Sequence, residues 1–272
     1  MAEKTSHSAI SNTIEIDGVF NARTFGGYPS TLGPKRSTRD GILYRSGHLK
    51  DITARGLSQI RTLGISTIID LTNSGETTVL FSDAAINPGQ GCRVLNFPLA
   101  KHAFSVQQLA EKYQRYLAEG EKAIAEGYLR LLVEGAEVIR DILFLIRDSP
   151  DDVFLVHCAM GKDRTGVVFA VLLCLAGVEH EVVAEDYSRS ETALGAALPE
   201  ISAAIKKALG LVNDDEARER ARIVIKTSKE AMLLTLQMVE ERFGSMIQYL
   251  NKCCGVEMED IKRIQGVLTS TS

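Results

Sequence analysis

The sequence predicts an α/β fold in which a central, mostly parallel sheet is flanked by helices, with additional helices towards the C-terminus. Three segments carry this prediction. Residues 152–156 form a short β-branched and aromatic run that is typical of a buried strand, and residues 65–69 form a second apolar run that ends at Asp70. Residues 165–176 are apolar on all faces and stop before Gly177, the residue usually found just past a helix end, so we predict a helix buried in the core.

The other predicted elements are helices. The pattern is helical from residue 105 to residue 147, with an apolar stripe from Leu129 through Ile146. After the central helix, we expect helices over residues 179–190, 198–209, 215–224 and 228–250, and a last one that carries Ile261, Ile264, Val267 and Leu268. No segment resembles a linker, so these helices are expected to be additions to one α/β domain.

Length and composition fit one core, since the chain has 272 residues of which 45% are hydrophobic. We predict a single domain over residues 15–268, with flexible tails at residues 1–14 and 269–272. The net charge of -4 argues against binding to nucleic acid. The cysteines at positions 92, 158, 174, 253 and 254 have neither disulfide nor zinc spacing, which is consistent with a reducing compartment and with no bound metal.

The chain is also expected to be soluble and cytoplasmic. Residues 1–12 lack the apolar stretch of a secretory signal. The longest apolar run, residues 167–176, is about half of the ~20 residues that an integral membrane segment needs.

The loop between the predicted strand and the central helix carries the functional information. It reads His157-Cys158-Ala159-Met160-Gly161-Lys162-Asp163-Arg164-Thr165-Gly166. Backbone amides just before a helix point outward at the positive end of the helix dipole, which makes a natural binding site for an oxyanion. We therefore predict that residues 159–164 hold a phosphate group.

Cys158 and Arg164 are the predicted catalytic pair of this loop. Amide dipoles and a nearby cation favour thiolate over thiol, and a thiolate is a competent nucleophile towards phosphorus. The guanidinium of Arg164 is expected to bind two phosphoryl oxygens and to stabilise them as charge spreads in the transition state. We expect the Thr165 hydroxyl to donate to the sulfur and ease its departure, and His157 to order the loop by hydrogen bonding rather than act as a base. This chemistry requires no metal and no cofactor.

The loop resembles the phosphate loop of the cysteine-dependent tyrosine phosphatases. Its Gly-Lys-Asp-Arg variant is similar to the microbial and fungal branch that acts on both phosphotyrosine and phosphoinositides. Two other matches support the resemblance, Asn21-Ala22-Arg23-Thr24-Phe25-Gly26-Gly27-Tyr28 and Leu43-Tyr44-Arg45-Ser46-Gly47. Thr24 stands where the branch usually has Asp, which affects a local turn contact rather than the chemistry, and Thr72 stands where Arg is commoner. The resemblance implies a tyrosine phosphatase fold, and Asp186-Tyr187, similar to a family pair, is interpreted as structural packing.

Two carboxylates compete for the role of general acid. The resemblance implies that Asp163, inside the loop, protonates the leaving group, and we favour it. The alternative is Asp70, because ligand sites in open α/β sheets lie beyond the carboxyl ends of the strands. Asp70 would otherwise be a turn residue that positions the next loop.

The sequence leaves open both the substrate class and the role of residues 105–127. Lys162 adds a second cation to the loop, which favours substrates with several phosphates, such as phosphoinositides; the alternative is a side chain that projects into solvent. The resemblance implies helices near the mouth of the site, so residues 105–127 either form a lid over the pocket or simply pack on the sheet. Phosphoprotein and phosphoinositide substrates both remain open.

Three other functions fit the sequence less well than phosphatase activity. A nucleotide-binding P-loop is excluded, because Gly161-Lys162 is followed by Asp163 and position 156 is Val156 instead of Gly. A sulfurtransferase also holds a Cys in a tight anion-binding loop, but Arg164 argues against that activity. A catalytically inactive phosphate-binding adaptor is the third alternative, against which the intact catalytic residues stand.

Overall fold

The computed structural model describes residues 12–73, 91–101 and 106–271. Its strands are β1 (Arg23–Thr24), β2 (Arg36–Thr38), β3 (Leu43–Ser46), β4 (Thr67–Asp70), β5 (Arg93–Asn96), β6 (Phe154–His157) and β7 (Thr269–Thr271). Its helices are α1 (Ala54–Thr62), α2 (Val106–Glu119), α3 (Glu121–Glu134), α4 (Ala136–Asp148), α5 (Asp163–Leu175), α6 (His180–Gly195), α7 (Leu198–Leu209), α8 (Asp214–Ile225), α9 (Lys229–Phe243), α10 (Met246–Lys252) and α11 (Met258–Leu268).

The central sheet has the strand order β1-β3-β6-β4-β5. Strand β1 runs antiparallel to β3, and the other neighbours run parallel, which confirms the predicted mostly parallel sheet. Because parallel strands end at the same edge, His157 lies in register with Ser46 on one side and with Asp70 on the other. The loop that follows His157 therefore starts at the edge where open α/β sheets bind their ligands.

Strand β6 and helix α5 form the centre of the core, as the sequence predicts. All four residues of β6 are buried, and eleven of the thirteen residues of α5 are buried. Burying one Val, Leu or Phe side chain contributes roughly 1.5–3 kcal/mol. The loop between these two elements is therefore anchored at both ends in the most buried part of the fold.

The long helix predicted over residues 228–250 is wrong, because the chain forms two helices there. Gly244 has a φ of 96° at the end of α9, a backbone conformation through which a helix does not continue. The Ser245 side chain then accepts a hydrogen bond from the Gln248 amide and caps α10.

Both ends of the described chain differ from the predicted tails. Residues Thr269–Thr271 form β7 and pair antiparallel with β2, and the Asn12 side chain is buried and donates to the Thr24 carbonyl. Polar composition suggested tails, but strand pairing is made by main-chain groups and needs no apolar side chains. Residues 1–11 and 272 lie outside the described part of the chain.

The segment considered as a lid forms α2 and the beginning of α3. The two helices meet at Gly120, whose φ is 64°. Helix α3 buries Ala123, Ala125, Tyr128 and Leu132 and packs against α5 and α9. Leu117 of α2 is 59% exposed, so α3 belongs to the core layer whereas part of α2 faces outward.

No helix within residues 12–73, 91–101 and 106–271 has both the length and the apolar character needed to cross a membrane.

Candidate active site

The loop of residues 158–162 connects β6 to α5, in agreement with the sequence. Cys158 directly follows the last residue of β6 and is 3% exposed. Helix α5 begins at Asp163 with Lys162 in the cap position, so the loop amides lie at the positive end of its dipole. This is the strand, loop and helix arrangement that suits a bound oxyanion.

Three carbonyl groups of the loop accept hydrogen bonds from residues outside the loop. The Asn21 amide donates to the Met160 carbonyl at 2.9 Å and to the Gly161 carbonyl at 3.1 Å. The backbone N–H of His48 donates to the Ala159 carbonyl at 3.1 Å. In a trans peptide the N–H points away from the C=O of the same unit, so fixing the carbonyls on one side directs the following amides to the other. The contacts thus favour a concave surface of N–H donors.

Gly161 is required by the close approach of strand β3. Its φ is 64°, and a Cβ built on it would lie 2.3 Å from the Ser46 carbonyl oxygen and 2.7 Å from the Gly47 nitrogen. Any larger residue would push the loop away from the end of β3. The glycine therefore allows the loop to pack closely against the end of β3.

A buried ionic network supports the same carbonyl groups. Arg45 donates to the Gly161 carbonyl at 2.8 Å and to Asp186 at 2.6 Å, and both of these side chains are almost fully buried. Arg23 lies 3.5 Å from Asp186 and also donates to Ser190. Burial disfavours ionisation of Asp186, but Arg45 and Arg23 outweigh it and hold the pKa of Asp186 below its usual range.

This network identifies functional roles that the sequence analysis did not assign. Asn21 and Arg45 were noted only as parts of matching motifs, and Asp186 only as packing. The available signal was Arg45, a charged residue between Leu43-Tyr44 and Ser46 in a strand whose residues are all buried. Buried charges in proteins are paired, so such a residue indicates an opposite charge and a structural role in the site.

Thr24, which stands where the resembled branch usually has Asp, keeps a turn contact. Its hydroxyl donates to Asp40 at 2.9 Å and accepts from the Gly26 amide at 3.2 Å. The departure from the family pattern therefore leaves this turn hydrogen-bonded.

Arg164 and Thr165 occupy the first turn of α5. Arg164 is 9% exposed, and its guanidinium donates to the Leu71 carbonyl at 3.3 Å. This contact joins the loop to the end of β4, directly after Asp70. The Thr165 hydroxyl is buried and has no hydrogen-bond partner among the described residues, so one buried donor remains for a group that enters the site.

His157 and Asp70 lie next to each other at the ends of β6 and β4. The His157 Nδ1 atom is 3.4 Å from the Cys158 carbonyl and 3.9 Å from Asp70 Oδ1. Burial lowers the pKa of His157, although Asp70 opposes the shift. A neutral imidazole fits the predicted ordering role.

Asp70 is engaged in its own turn. Its Oδ1 atom accepts from the Thr72 amide at 2.9 Å and from the Thr72 hydroxyl at 2.8 Å. These bonds are those of a turn residue that positions the next loop. Residues 74–90, which come next in the sequence, lie outside the described part of the chain.

Asp163 is surrounded by donors from three elements. Its Oδ1 atom accepts from the Tyr128 hydroxyl of α3, and its Oδ2 atom accepts from the Lys112 ammonium of α2 at 3.3 Å. The Lys162 ammonium lies 3.6 Å from Oδ1. Burial favours the neutral acid, but Lys112, Lys162 and Tyr128 outweigh it and hold the pKa of Asp163 well below its usual range. Without substrate, Asp163 is therefore a carboxylate.

The Lys162 side chain does not project into solvent. It is 2% exposed, and its ammonium donates to the Val224 carbonyl at 2.6 Å and to the Lys226 carbonyl at 3.2 Å. These carbonyls lie at the C-terminal end of α8, where cations are stabilised by the helix dipole. Lys162 thus links the loop to α8 and to Asp163.

Comparisons with known proteins agree with this geometry. Residues 14–270 match the model of a family described as the tyrosine phosphatase family. The chain is 26% identical to the triple specificity protein phosphatase PtpB of Mycobacterium tuberculosis, over 93% of this chain and 98% of the relative. It is also 26% identical to a Cupriavidus necator protein named as a tyrosine-protein phosphatase, over 65% of this chain and 62% of the relative.

Proposed function

Because this chain belongs to the tyrosine phosphatase family, we propose that it hydrolyses phosphotyrosine with Cys158 as the nucleophile. The observation that carries the proposal is the loop at residues 158–164. Its carbonyls are bound from behind by Asn21 and Arg45, which leaves its amides for a phosphate next to Cys158. Phosphotyrosine and phosphoprotein substrates fit the family, whereas sulfurtransfer has no support from either relative.

In the first step, the Cys158 thiolate attacks phosphorus. A bond forms between sulfur and phosphorus while the bond between phosphorus and the tyrosyl oxygen breaks. The loop amides, with the guanidinium of Arg164, bind the three non-bridging oxygens as negative charge spreads over them. Residues Ala159, Met160, Gly161, Lys162 and Asp163 contribute to this phosphate site through the backbone.

The departing oxygen needs a proton, and we propose that Asp163 supplies it. Asp163 is ionised before substrate arrives, so it must first bind a proton. A bound phosphate dianion places negative charge beside the carboxylate and competes for the Lys112 ammonium, and both effects raise the pKa of Asp163.

In the second step, water attacks phosphorus and the bond to sulfur breaks. The Asp163 carboxylate accepts the proton of the attacking water, and Cys158 leaves as thiolate. The buried Thr165 hydroxyl, which has no other hydrogen-bond partner among the described residues, is the proposed donor to this sulfur. His157 orders the loop in its neutral form.

The two candidate acids can be separated by their effect on different leaving groups. Asp163→Asn and Asp70→Asn are each assayed with aryl phosphates whose phenols range from acidic to weakly acidic. We expect Asp163→Asn to slow the poorest leaving group by about 10²–10⁴-fold and the best one little. Asp70→Asn should slow all substrates to a similar extent, and the opposite pattern would assign the acid to Asp70.

We further propose that phosphoinositides are a second substrate class. The support is the branch resemblance of the loop and a relative that is named for triple specificity. The buried position of Lys162 means that its charge reaches a second phosphate only if the side chain leaves the α8 carbonyls. A Lys162→Ala variant that keeps the ratio of inositol-lipid to phosphotyrosine turnover would refute a role of this ammonium in lipid selection.

The proposed site lies next to α2, because Lys112 of that helix contacts Asp163. We propose that α2 covers the mouth of the pocket as a lid. Protease cleavage within residues 109–127 should then slow when orthovanadate occupies the site. Equal cleavage with and without vanadate would mean that α2 only packs on α3.

The remaining proposals concern the setting of the enzyme. We propose one catalytic domain that works in the cytoplasm, without binding nucleic acid. All five cysteines are free, which suits a reducing compartment where the Cys158 thiolate is not oxidised.

A further inference from the structure

Tyr128 contacts the carboxylate of Asp163 from the interior of the fold. It is 1% exposed on the buried side of α3, and its hydroxyl donates to Asp163 Oδ1. Burial, together with the adjacent Asp163 carboxylate, raises the pKa of Tyr128 well above its usual value. Tyr128 therefore stays protonated and acts as a hydrogen-bond donor throughout the working pH range.

The hydrogen bond from Tyr128 to Asp163 fixes the direction of a second one, between Tyr128 and Tyr187. The hydroxyls of Tyr128 and Tyr187 are 2.6 Å apart, and their rings meet edge to face. A tyrosine hydroxyl has one hydrogen. Because Tyr128 gives its hydrogen to Asp163, Tyr187 must donate to the Tyr128 oxygen. The donors run in one direction, from Tyr187 through Tyr128 to Asp163.

The two oxygens of Asp163 have different surroundings as a result. The Oδ1 atom is held on the buried side by Tyr128 and by Lys162, which is 3.6 Å away. The Oδ2 atom contacts Lys112, whose side chain is 20% exposed on α2. Among these contacts within the described residues, the partner of Oδ2 is the more exposed one, since the Lys162 side chain is 3% exposed. Oδ2 is therefore the oxygen that is available to carry a proton to the leaving group.

The geometry points to Tyr128 as a positioning residue that anchors Oδ1 and so turns Oδ2 of Asp163 towards the leaving oxygen, a role that rests on the function proposed above. Tyr187 supports Tyr128 from behind. Its neighbour Asp186 binds Arg45, which holds the Gly161 carbonyl. Two consecutive residues of α6 thus support the site: Asp186 holds the phosphate loop through Arg45, and Tyr187 holds Asp163 through Tyr128.

The expected effects follow from the surroundings of the carboxylate. The titratable or charged groups that face it within the described residues are Lys112 and Tyr116 of α2, Tyr128 of α3, Lys162 of the loop and Tyr187 of α6. Removing the Tyr128 hydroxyl frees Oδ1 to rotate, which misaligns the acid. It also removes a donor to the ionised form, which raises the pKa of Asp163.

The test is Tyr128→Phe, assayed with the same series of aryl phosphates over a range of pH. We expect kcat for the poorest leaving group to fall about 10–100-fold, a part of the general-acid contribution, with little change for the best one and in KM. The descending alkaline limb of the kcat profile should move to higher pH. A purely structural role would slow all leaving groups alike and leave this limb in place.

Tyr249→Phe is the matched control. Its hydroxyl donates to the Leu132 carbonyl of the same helix α3 at 2.6 Å, and it is equally buried. It should keep the wild-type leaving-group dependence and pH profile. Tyr187→Phe should show a weaker form of the Tyr128→Phe effect, and it takes over the test if Tyr128→Phe does not fold.

The outcomes distinguish this inference from the proposed function. Wild-type protein without phosphatase activity would overturn the proposed function. If Asp163→Asn slows the poorest leaving group far more than the best one, Tyr128→Phe can still behave like Tyr249→Phe. That result would overturn the positioning role of Tyr128 and leave the proposed function standing. If Asp70→Asn shows this selective slowing instead, both the acid assignment and the role of Tyr128 are overturned.

Discussion

Replacing Asp186 by Asn should destabilise the protein more than any surface charge change. The substitution keeps the side-chain shape but removes the negative charge shared by Arg45 and Arg23, which are each 1% exposed. An arginine cannot neutralise itself in a protein interior, so both positive charges would remain buried. Breaking one partner of a buried ion pair costs about 3–5 kcal/mol, a large part of a typical folding free energy of ~5–15 kcal/mol.

The effect can be measured by urea unfolding followed by circular dichroism. With a denaturant dependence of about 3 kcal/mol per molar, the midpoint of Asp186→Asn should fall by about 1–1.7 M. Its kcat/KM should also fall, because Arg45 loses the partner that orients it towards the Gly161 carbonyl.

Asp214→Asn is the matched control, since Asp214 pairs with Lys206 at the exposed start of α8. An exposed ion pair is screened by water and salt, so this midpoint should stay close to that of the wild type. Equal midpoint shifts in the two variants would refute the conclusion that the buried network holds the loop.

Three further predictions concern the loop and its support. Gly161→Ala should lower both stability and kcat, because the new Cβ would lie 2.3 Å from the Ser46 carbonyl oxygen; a wild-type unfolding midpoint would contradict this. Arg164→Lys should reduce kcat/KM by about 10²-fold or more, since a lysine cannot bind two phosphoryl oxygens at once, and isothermal titration with vanadate should show weaker binding. Because Arg45 holds the folded-state pKa of Asp186 below the unfolded value of about 3.9, the stability from this pair is present above that pH and is lost as pH falls further. The wild type should therefore lose more stability than Asp186→Asn between pH 5 and pH 3, as urea midpoints across that range would reveal.

The centre of the site could be predicted from the sequence because its pattern is local. A buried strand, a loop with Cys158 and Arg164 six positions apart, and an all-apolar helix lie consecutively in the chain. Each element is specified by its own residues, and a right-handed connection between parallel strands leaves little freedom in their arrangement. The strand β4 that ends at Asp70 was predictable for the same reason.

The partners of the loop residues could not be predicted, because they come from distant parts of the chain. Asp163 binds Tyr128, 35 positions away, and Lys112, 51 positions away. Lys162 looked like a free cation for substrate, whereas 62 positions separate it from the Val224 carbonyl that its ammonium binds. Such contacts depend on how helices α2, α3 and α8 pack, which no local pattern encodes.

The division of the last long helix was missed for a different reason. Apolar periodicity runs on through residues 228–250, and a single glycine inside a helical pattern is often tolerated. Only the φ of 96° at Gly244, followed by the Ser245 cap, marks the break.

The central claim is that Cys158 carries the phosphoryl group during turnover. The most direct measurement is acid quenching of the enzyme during hydrolysis of a phosphotyrosine peptide labelled with ³²P, followed by peptide mapping. We predict labelled protein with the phosphate on Cys158, and neither label nor turnover in Cys158→Ser. Turnover that persists in Cys158→Ser, or a label on any other residue, would contradict the account.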